Sequence, residues 1–118
     1  MAKVLIVDDS RTSRRILKNI LTENGYEIAG EAGNGQEGVE KYIELKPDLV
    51  TLDITMPVLD GLGALKKIME ADKDAHIVMV TAAGQKSKMV DAIKLGASEF
   101  IQKPFEPEQI MSVIKTIL

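Results

Sequence analysis

Apolar positions along this chain fall into two alternating patterns, short continuous runs and helical spacings. Lys3-Val4-Leu5-Ile6-Val7 is a continuous, β-branched run, the pattern of a strand buried on both faces of a parallel sheet. Ser10 is placed to cap a helix. Ile16, Leu17, Ile20 and Leu21 then recur at helical spacing until Asn24-Gly25 stops the helix. Tyr26 to Ala32 reads as a weaker strand and Asn34-Gly35 as a turn. Val39, Tyr42 and Ile43 mark a second helix, ended by Lys46-Pro47. Asp48 to Asp53 is a third strand, and Ile54 to Gly61, with Pro57 and Asp60-Gly61, is a loop. Leu62, Leu65, Ile68 and Met69 carry a third helix, and His76 to Val80 a fourth strand. Met89, Val90, Ile93 and Leu95 give a fourth helix ended by Gly96. Phe100-Ile101 is a short fifth strand. Ile110, Val113, Ile114 and Ile117 give the last helix.

The order is strand then helix, five times over, with short connections. It predicts a single α/β domain over residues 1–118, a parallel sheet covered on both faces. At 118 residues one core is expected. The absence of cysteine excludes disulfides, thiolate metal sites and cysteine catalysis, and a lone histidine excludes paired-histidine chemistry. A net charge of −3 argues against a nucleic-acid partner. No apolar run approaches the roughly 18 residues of a membrane span. The N-terminal apolar run ends in two aspartates and is not a signal peptide. No membrane insertion and a cytoplasmic location are expected.

In open parallel sheets, ligands bind outside the carboxyl ends of the strands. The first strand here ends in Asp8-Asp9, the third in Asp53, the fourth in Thr81-Ala82, and the fifth near Lys103-Pro104. Three carboxylates, a hydroxyl and an ammonium are therefore expected at one edge. Carboxylates crowded together raise one another's pKa, and a divalent cation removes that cost. All-oxygen ligands and a partly open shell suit Mg²⁺. A phosphoryl group on one carboxylate would meet Mg²⁺, Lys103 and the Thr81 hydroxyl. Asp53, on the central strand, is the expected nucleophile. Taken singly, each residue has a plainer role: Asp8-Asp9 as helix-capping acids, Lys103 as a solvated lysine, Thr81 as a strand residue. Their joint placement is what argues for chemistry.

Two other features invite a functional reading. Gly33-Asn34-Gly35-Gln36-Glu37-Gly38 matches a dinucleotide-binding pattern, but it lies in the second strand–helix unit and leaves Asp8, Asp9 and Lys103 unexplained. A turn and a helix start are expected there instead. His76 precedes a strand at the edge away from the acids and is expected to face solvent. The six methionines are expected chiefly as core filler.

Val7-Asp8-Asp9-Ser10, Leu52-Asp53-Ile54-Thr55-Met56-Pro57 with Asp60-Gly61, Val80-Thr81-Ala82 and Lys103-Pro104-Phe105 together resemble the receiver domain of bacterial two-component response regulators. The resemblance covers essentially the whole chain. Gly96-Ala97-Ser98-Glu99-Phe100 extends it toward the stand-alone chemotaxis regulators. It implies a flavodoxin-like (βα)5 fold with strand order 2-1-3-4-5. It implies that Asp53 accepts phosphate from a sensor histidine kinase, a chemotaxis kinase by the details. Asp9, Asp53 and the Thr55 carbonyl would bind Mg²⁺ directly, and Asp8 through water. Thr81 and Lys103 would hold phosphoryl oxygens, and Phe100 would be the switch aromatic, without the hydroxyl that tyrosine would bring. A cis Lys103-Pro104 bond is also implied. Such a chain is a phosphoacceptor that assists its own phosphorylation and dephosphorylation, not a conventional enzyme. A flagellar switch protein or a phosphatase would read its surface, and it would act as a monomer. The exposed side of the fourth helix is expected to carry Lys86 and Lys88, with Met89 as a candidate apolar anchor.

The initial Met and the closing helix favour a stand-alone protein over a receiver excised from a larger regulator. Two other readings are a phosphorelay receiver outside chemotaxis and a phosphatase of the haloacid-dehalogenase type. The phosphatase type places a second Asp two residues after its nucleophile, where this chain has Thr55.

Overall fold

The computed structural model describes residues 2–118. Its elements run β1 (Lys3–Val7), α1 (Arg11–Glu23), β2 (Glu27–Ala32), α2 (Gly35–Leu45), β3 (Leu49–Asp53), α3 (Gly61–Ala71), β4 (Ile77–Thr81), α4 (Lys86–Lys94), β5 (Glu99–Gln102) and α5 (Pro107–Ile117). The sheet is parallel, in the order β2-β1-β3-β4-β5. This is the doubly wound, flavodoxin-like arrangement. Among the described residues no helix is long and apolar enough to cross a membrane.

The continuous apolar runs become the central strands for a physical reason. Successive side chains of a strand point to opposite faces, and both faces are covered. Leu5, Val7, Val50, Leu52, Ile77 and Met79 pack with Val39 and Tyr42 of α2 and Leu65 and Ile68 of α3. Val4, Ile6, Leu49 and Val78 pack with Leu17 and Leu21 of α1 and Ile110 and Ile114 of α5. Burying each such side chain contributes about 2 kcal/mol. The edge strands β2 and β5 are partly exposed and correspondingly less apolar.

Helix starts obey local chemistry. The Ser10 hydroxyl accepts from Ser13 N–H, Asn34 Oδ1 from Glu37 N–H and Asp60 Oδ1 from Gly63 N–H, each cap contributing about 1 kcal/mol. Gly61 therefore opens α3, where the turn signal had suggested only loop. Tyr26 lies just outside β2, and His76 is exposed just before β4.

The fourth helix departs from expectation. Of its apolar residues Ala92 is fully buried and Met89 leans on the core, whereas Val90 and Ile93 are about half exposed. The outward apolar pair is thus Val90 and Ile93, and Met89 is a packing residue. Helix α4 is nine residues long and lies against α3 and β4.

The loop between β3 and α3 holds a strained residue. Val58 has φ of +69°, and the flanking Leu59 N–H donates to the Pro57 carbonyl at 2.8 Å, closing a three-residue turn. A β-branched residue is disfavoured there, and Val58 is 81% exposed, so burial returns nothing. Val58→Gly should therefore stabilise the fold by about 1 kcal/mol. A urea midpoint that stays put or falls would refute this.

Candidate functional site

β1 pairs with β2 on one side and β3 on the other, so the chain reverses direction across the sheet between β1 and β3. The crevice of such a sheet opens there, at the strands' carboxyl ends. Asp8 and Asp9 come directly after β1, and Asp53 is the last residue of β3. Their carboxylates each bring an oxygen within 4.8 Å of the others. Asp8 and Asp53 are buried and Asp9 is exposed.

Lys103 arrives from the far end of the chain. Its N–H donates to the Thr81 carbonyl at 2.8 Å, continuing the β4–β5 pairing, and the Lys103–Pro104 bond is cis, as the resemblance implied. The side chain then reaches across, with Nζ 3.1 Å from Asp8 Oδ2 and 3.6 Å from Asp53 Oδ2. Asp8 Oδ1 also accepts from Ser10 N–H at 2.8 Å, and the Asp8 carbonyl accepts from the Arg14 guanidinium. Asp8 is therefore held on three sides.

Three carboxylates face one ammonium, and the balance is negative. Burial, then the Asp8 charge, push the Asp53 carboxyl from 3.8 up to about 6. Lys103 opposes that rise and Asp9 adds to it. Burial alone would lower the pKa of Lys103. The Asp8 hydrogen bond and the charges of Asp53 and Asp8 outweigh burial, raise that pKa and keep the side chain cationic. The donor set consists of hard oxygens with an excess of negative charge, and it fits a small divalent cation such as Mg²⁺.

Thr81 is buried at the end of β4, one strand from Asp53. Thr55 is exposed, its hydroxyl accepting from Gln85 Nε2 at 2.7 Å. Phe100 is half-buried on β5 and lines, with Thr81, Ala82 and Met89, a cavity of about 400 Å³. Of the residues singled out from sequence, Asp8, Asp9, Asp53 and Lys103 form one contact cluster, and Thr81, Thr55 and Phe100 stand around it.

The glycine pattern at 33–38 has a packing role. A Cβ at Gly35 would lie 2.0 Å from the Leu59 carbonyl oxygen, and one at Gly38 2.8 Å from a Val7 methyl. These glycines let α2 approach the sheet and the loop after β3. Arg14 and Gln85 escaped sequence reasoning. An arginine within α1 and a glutamine before α4 carry no local signal, because their partners lie on other segments.

Residues 4–115 match the family described as Response regulator receiver domain. The chain is 51% identical to the chemotaxis protein CheY of Thermotoga maritima, over 98% of this chain and 96% of the relative. It is 49% identical to CheY of Bacillus subtilis, over 98% and 97%. Among solved structures, a chain of the CheX–CheY–BeF3–Mg²⁺ complex from Borrelia burgdorferi superposes with a TM-score of 0.94. That chain is 39% identical, and the match covers 98% of this chain and 88% of that one.

Proposed function

From the premise that this chain belongs to the response regulator receiver domain family and is a CheY-like phosphoaccepting signalling protein of chemotaxis, we propose that Asp53 takes its phosphoryl group from a phosphohistidine of a chemotaxis histidine kinase in the cytoplasm. The observation that carries this reading is the setting of Asp53, a carboxylate on the central strand 3.6 Å from an ammonium and flanked by two further acids. An Asp53 oxygen attacks phosphorus as the phosphorus–nitrogen bond breaks. The electron pair of that bond stays with the departing imidazole. Lys103 meets the phosphoryl oxygens by charge and Thr81 by hydrogen bonding. Asp9, Asp53 and the Thr55 carbonyl would hold Mg²⁺, with Asp8 reaching it through water. The ion would supply positive charge against the carboxylates and the phosphoryl oxygens.

Output arises from the cavity between Thr81 and Phe100. Drawing Thr81 toward a phosphoryl group vacates space that the Phe100 ring can enter, repacking the surface of α4, β5 and α5. That surface includes the exposed pair Val90 and Ile93. A flagellar switch protein or a phosphatase reads it, and the chain acts as a monomer. The partner must prefer one arrangement by differential contacts.

Capture on the immobilised chain tests both halves of this reading. A flagellar switch protein should be retained when Mg²⁺ and beryllofluoride are both present, and not with either alone. Asp9→Ala should lose that retention, and Mg²⁺ should no longer raise its melting temperature, since the ion stabilises only the native site. Retention indifferent to beryllofluoride would overturn the output reading. Equal Mg²⁺ stabilisation of both proteins would overturn the metal assignment.

A further inference from the structure

One side chain outside the acidic cluster joins two of the loops that frame it. Gln85 stands at the start of α4, yet its side chain does not cap that helix. Instead Gln85 Oε1 accepts from the Ala82 N–H at 2.6 Å, and Gln85 Nε2 donates to Thr55 Oγ1 at 2.7 Å. Ala82 directly succeeds Thr81 at the end of β4, and Thr55 is two residues beyond Asp53 on the neighbouring strand's exit. The amide therefore spans the rim of the crevice, tying the loop after β4 to the loop after β3. Gly84, with φ of +86°, allows the tight return that brings Gln85 back over Ala82.

The Ala82 N–H is a backbone donor at the acceptor edge, the kind of group an oxyanion beside Asp53 would seek. In this structure a neutral amide oxygen occupies it. We propose that Gln85 is a positioning residue, a latch that holds the unphosphorylated arrangement and is displaced when phosphoryl oxygens on Asp53 take over the Ala82 N–H. The inference rests on the reading of Asp53 as the acceptor. An anionic oxygen is the stronger hydrogen-bond acceptor, so it wins the shared donor. Gln85 is then left with one exposed bond to Thr55, which water can replace. Its release frees the first turn of α4, the helix that presents Val90 and Ile93. The state of the acceptor thus reaches the output helix through Gln85, which lines the same cavity as Thr81 and Phe100.

A latch that competes for a donor must weaken the binding of a phosphoryl analogue. Beryllofluoride, titrated in Mg²⁺ and monitored by fluorine NMR, reads this without any partner protein. Gln85→Leu keeps the length and removes both bonds. Its beryllofluoride affinity should rise about three- to tenfold, the worth of one net hydrogen bond, and the Ala82 amide resonance should shift before any analogue is added. Gln85→Glu should hold the Ala82 N–H more tightly and repel the anion, so its affinity should fall below wild type. Opposite shifts in the two variants support the latch, because general loosening of the loop would move both the same way. Unchanged affinity in both, or a shift in one common direction, overturns it. Wild type that takes no beryllofluoride, or Asp53→Asn that takes it equally well, overturns the acceptor assignment and the latch with it.

Discussion

Asp53→Asn should take up no phosphoryl group from a small phosphodonor in Mg²⁺, and intact-mass spectrometry should show its adduct at background. The substitution keeps the shape of the side chain and removes the anionic nucleophile. The neighbouring acids cannot readily substitute. Asp8 is tied to Lys103 and to the Ser10 N–H, and Asp9 is exposed to solvent, with no ion pair to Lys103 among the described residues. An adduct at wild-type yield would overturn the assignment.

The same variant has a second expected signature in metal-free protein. The Asp53 carboxyl is raised in the fold from 3.8 to about 6, so between those values the folded state binds more protons than the unfolded state. The Asp53 contribution to wild-type stability should therefore fall as the pH rises from about 4 to about 6, and the loss should be complete above that range. Asp53→Asn lacks the ionisation. It should be more stable than wild type at pH 7 by about 1–3 kcal/mol, with the pH-dependent part of that advantage gone at pH 4. Urea melts in EDTA at the two pH values check this. An advantage that grows on acidification would contradict the direction.

Gly61→Ala should be a severely damaging single-methyl change at the site. A Cβ there would lie 2.1 Å from the Asp53 carbonyl oxygen and 2.6 Å from Ile54 Cα, and backbone cannot swing aside as a side chain can. The first turn of α3 would have to retreat. That puts at risk the 2.7 Å bond from Gly61 N–H to the Ile54 carbonyl and the Asp60 cap. The expected loss is about 3–5 kcal/mol, the sum of overpacking, a hydrogen bond and a cap, from a total stability of about 5–15 kcal/mol. Phosphoryl uptake should fall too, because the displaced backbone carries Asp53. Gly63→Ala is the internal comparison. Its Cβ meets the end of the flexible Leu59 side chain at 2.6 Å, so it should cost less than about 1 kcal/mol given the helix propensity gained. Chemical denaturation of the two variants separates them, and equal midpoints would show that the close approach at Gly61 carries no special cost.

The alternation of strand and helix, the buried runs at Val4–Val7 and Ile77–Val80, and the caps at Ser10, Asn34 and Asp60 are local properties. They depend on residues a few positions apart, which is the range over which strand and helix periods and capping bonds act. The fold class and the placing of Asp8, Asp9, Asp53, Thr81 and Lys103 at strand ends therefore follow from local pattern. Which of these residues meet depends on contacts across the folded chain. Lys103 bridges Asp8 and Asp53 across segments 95 and 50 positions away, and the elevated Asp53 pKa exists only because burial and that geometry act together. The glycine pattern at 33–38 reads as a turn and helix start, and that is what it forms, but the close packing of Leu59 and Val7 against Gly35 and Gly38 has no local signature. Val90 and Ile93 fit a helical period, but which side of α4 faces water depends on how the helix lies on the sheet. Nothing local marks Gln85, because its partner Thr55 lies 30 positions away. Each of these outcomes depends on a distance between segments far apart in the chain, and such distances are set by packing the whole core, not by any local pattern of residues.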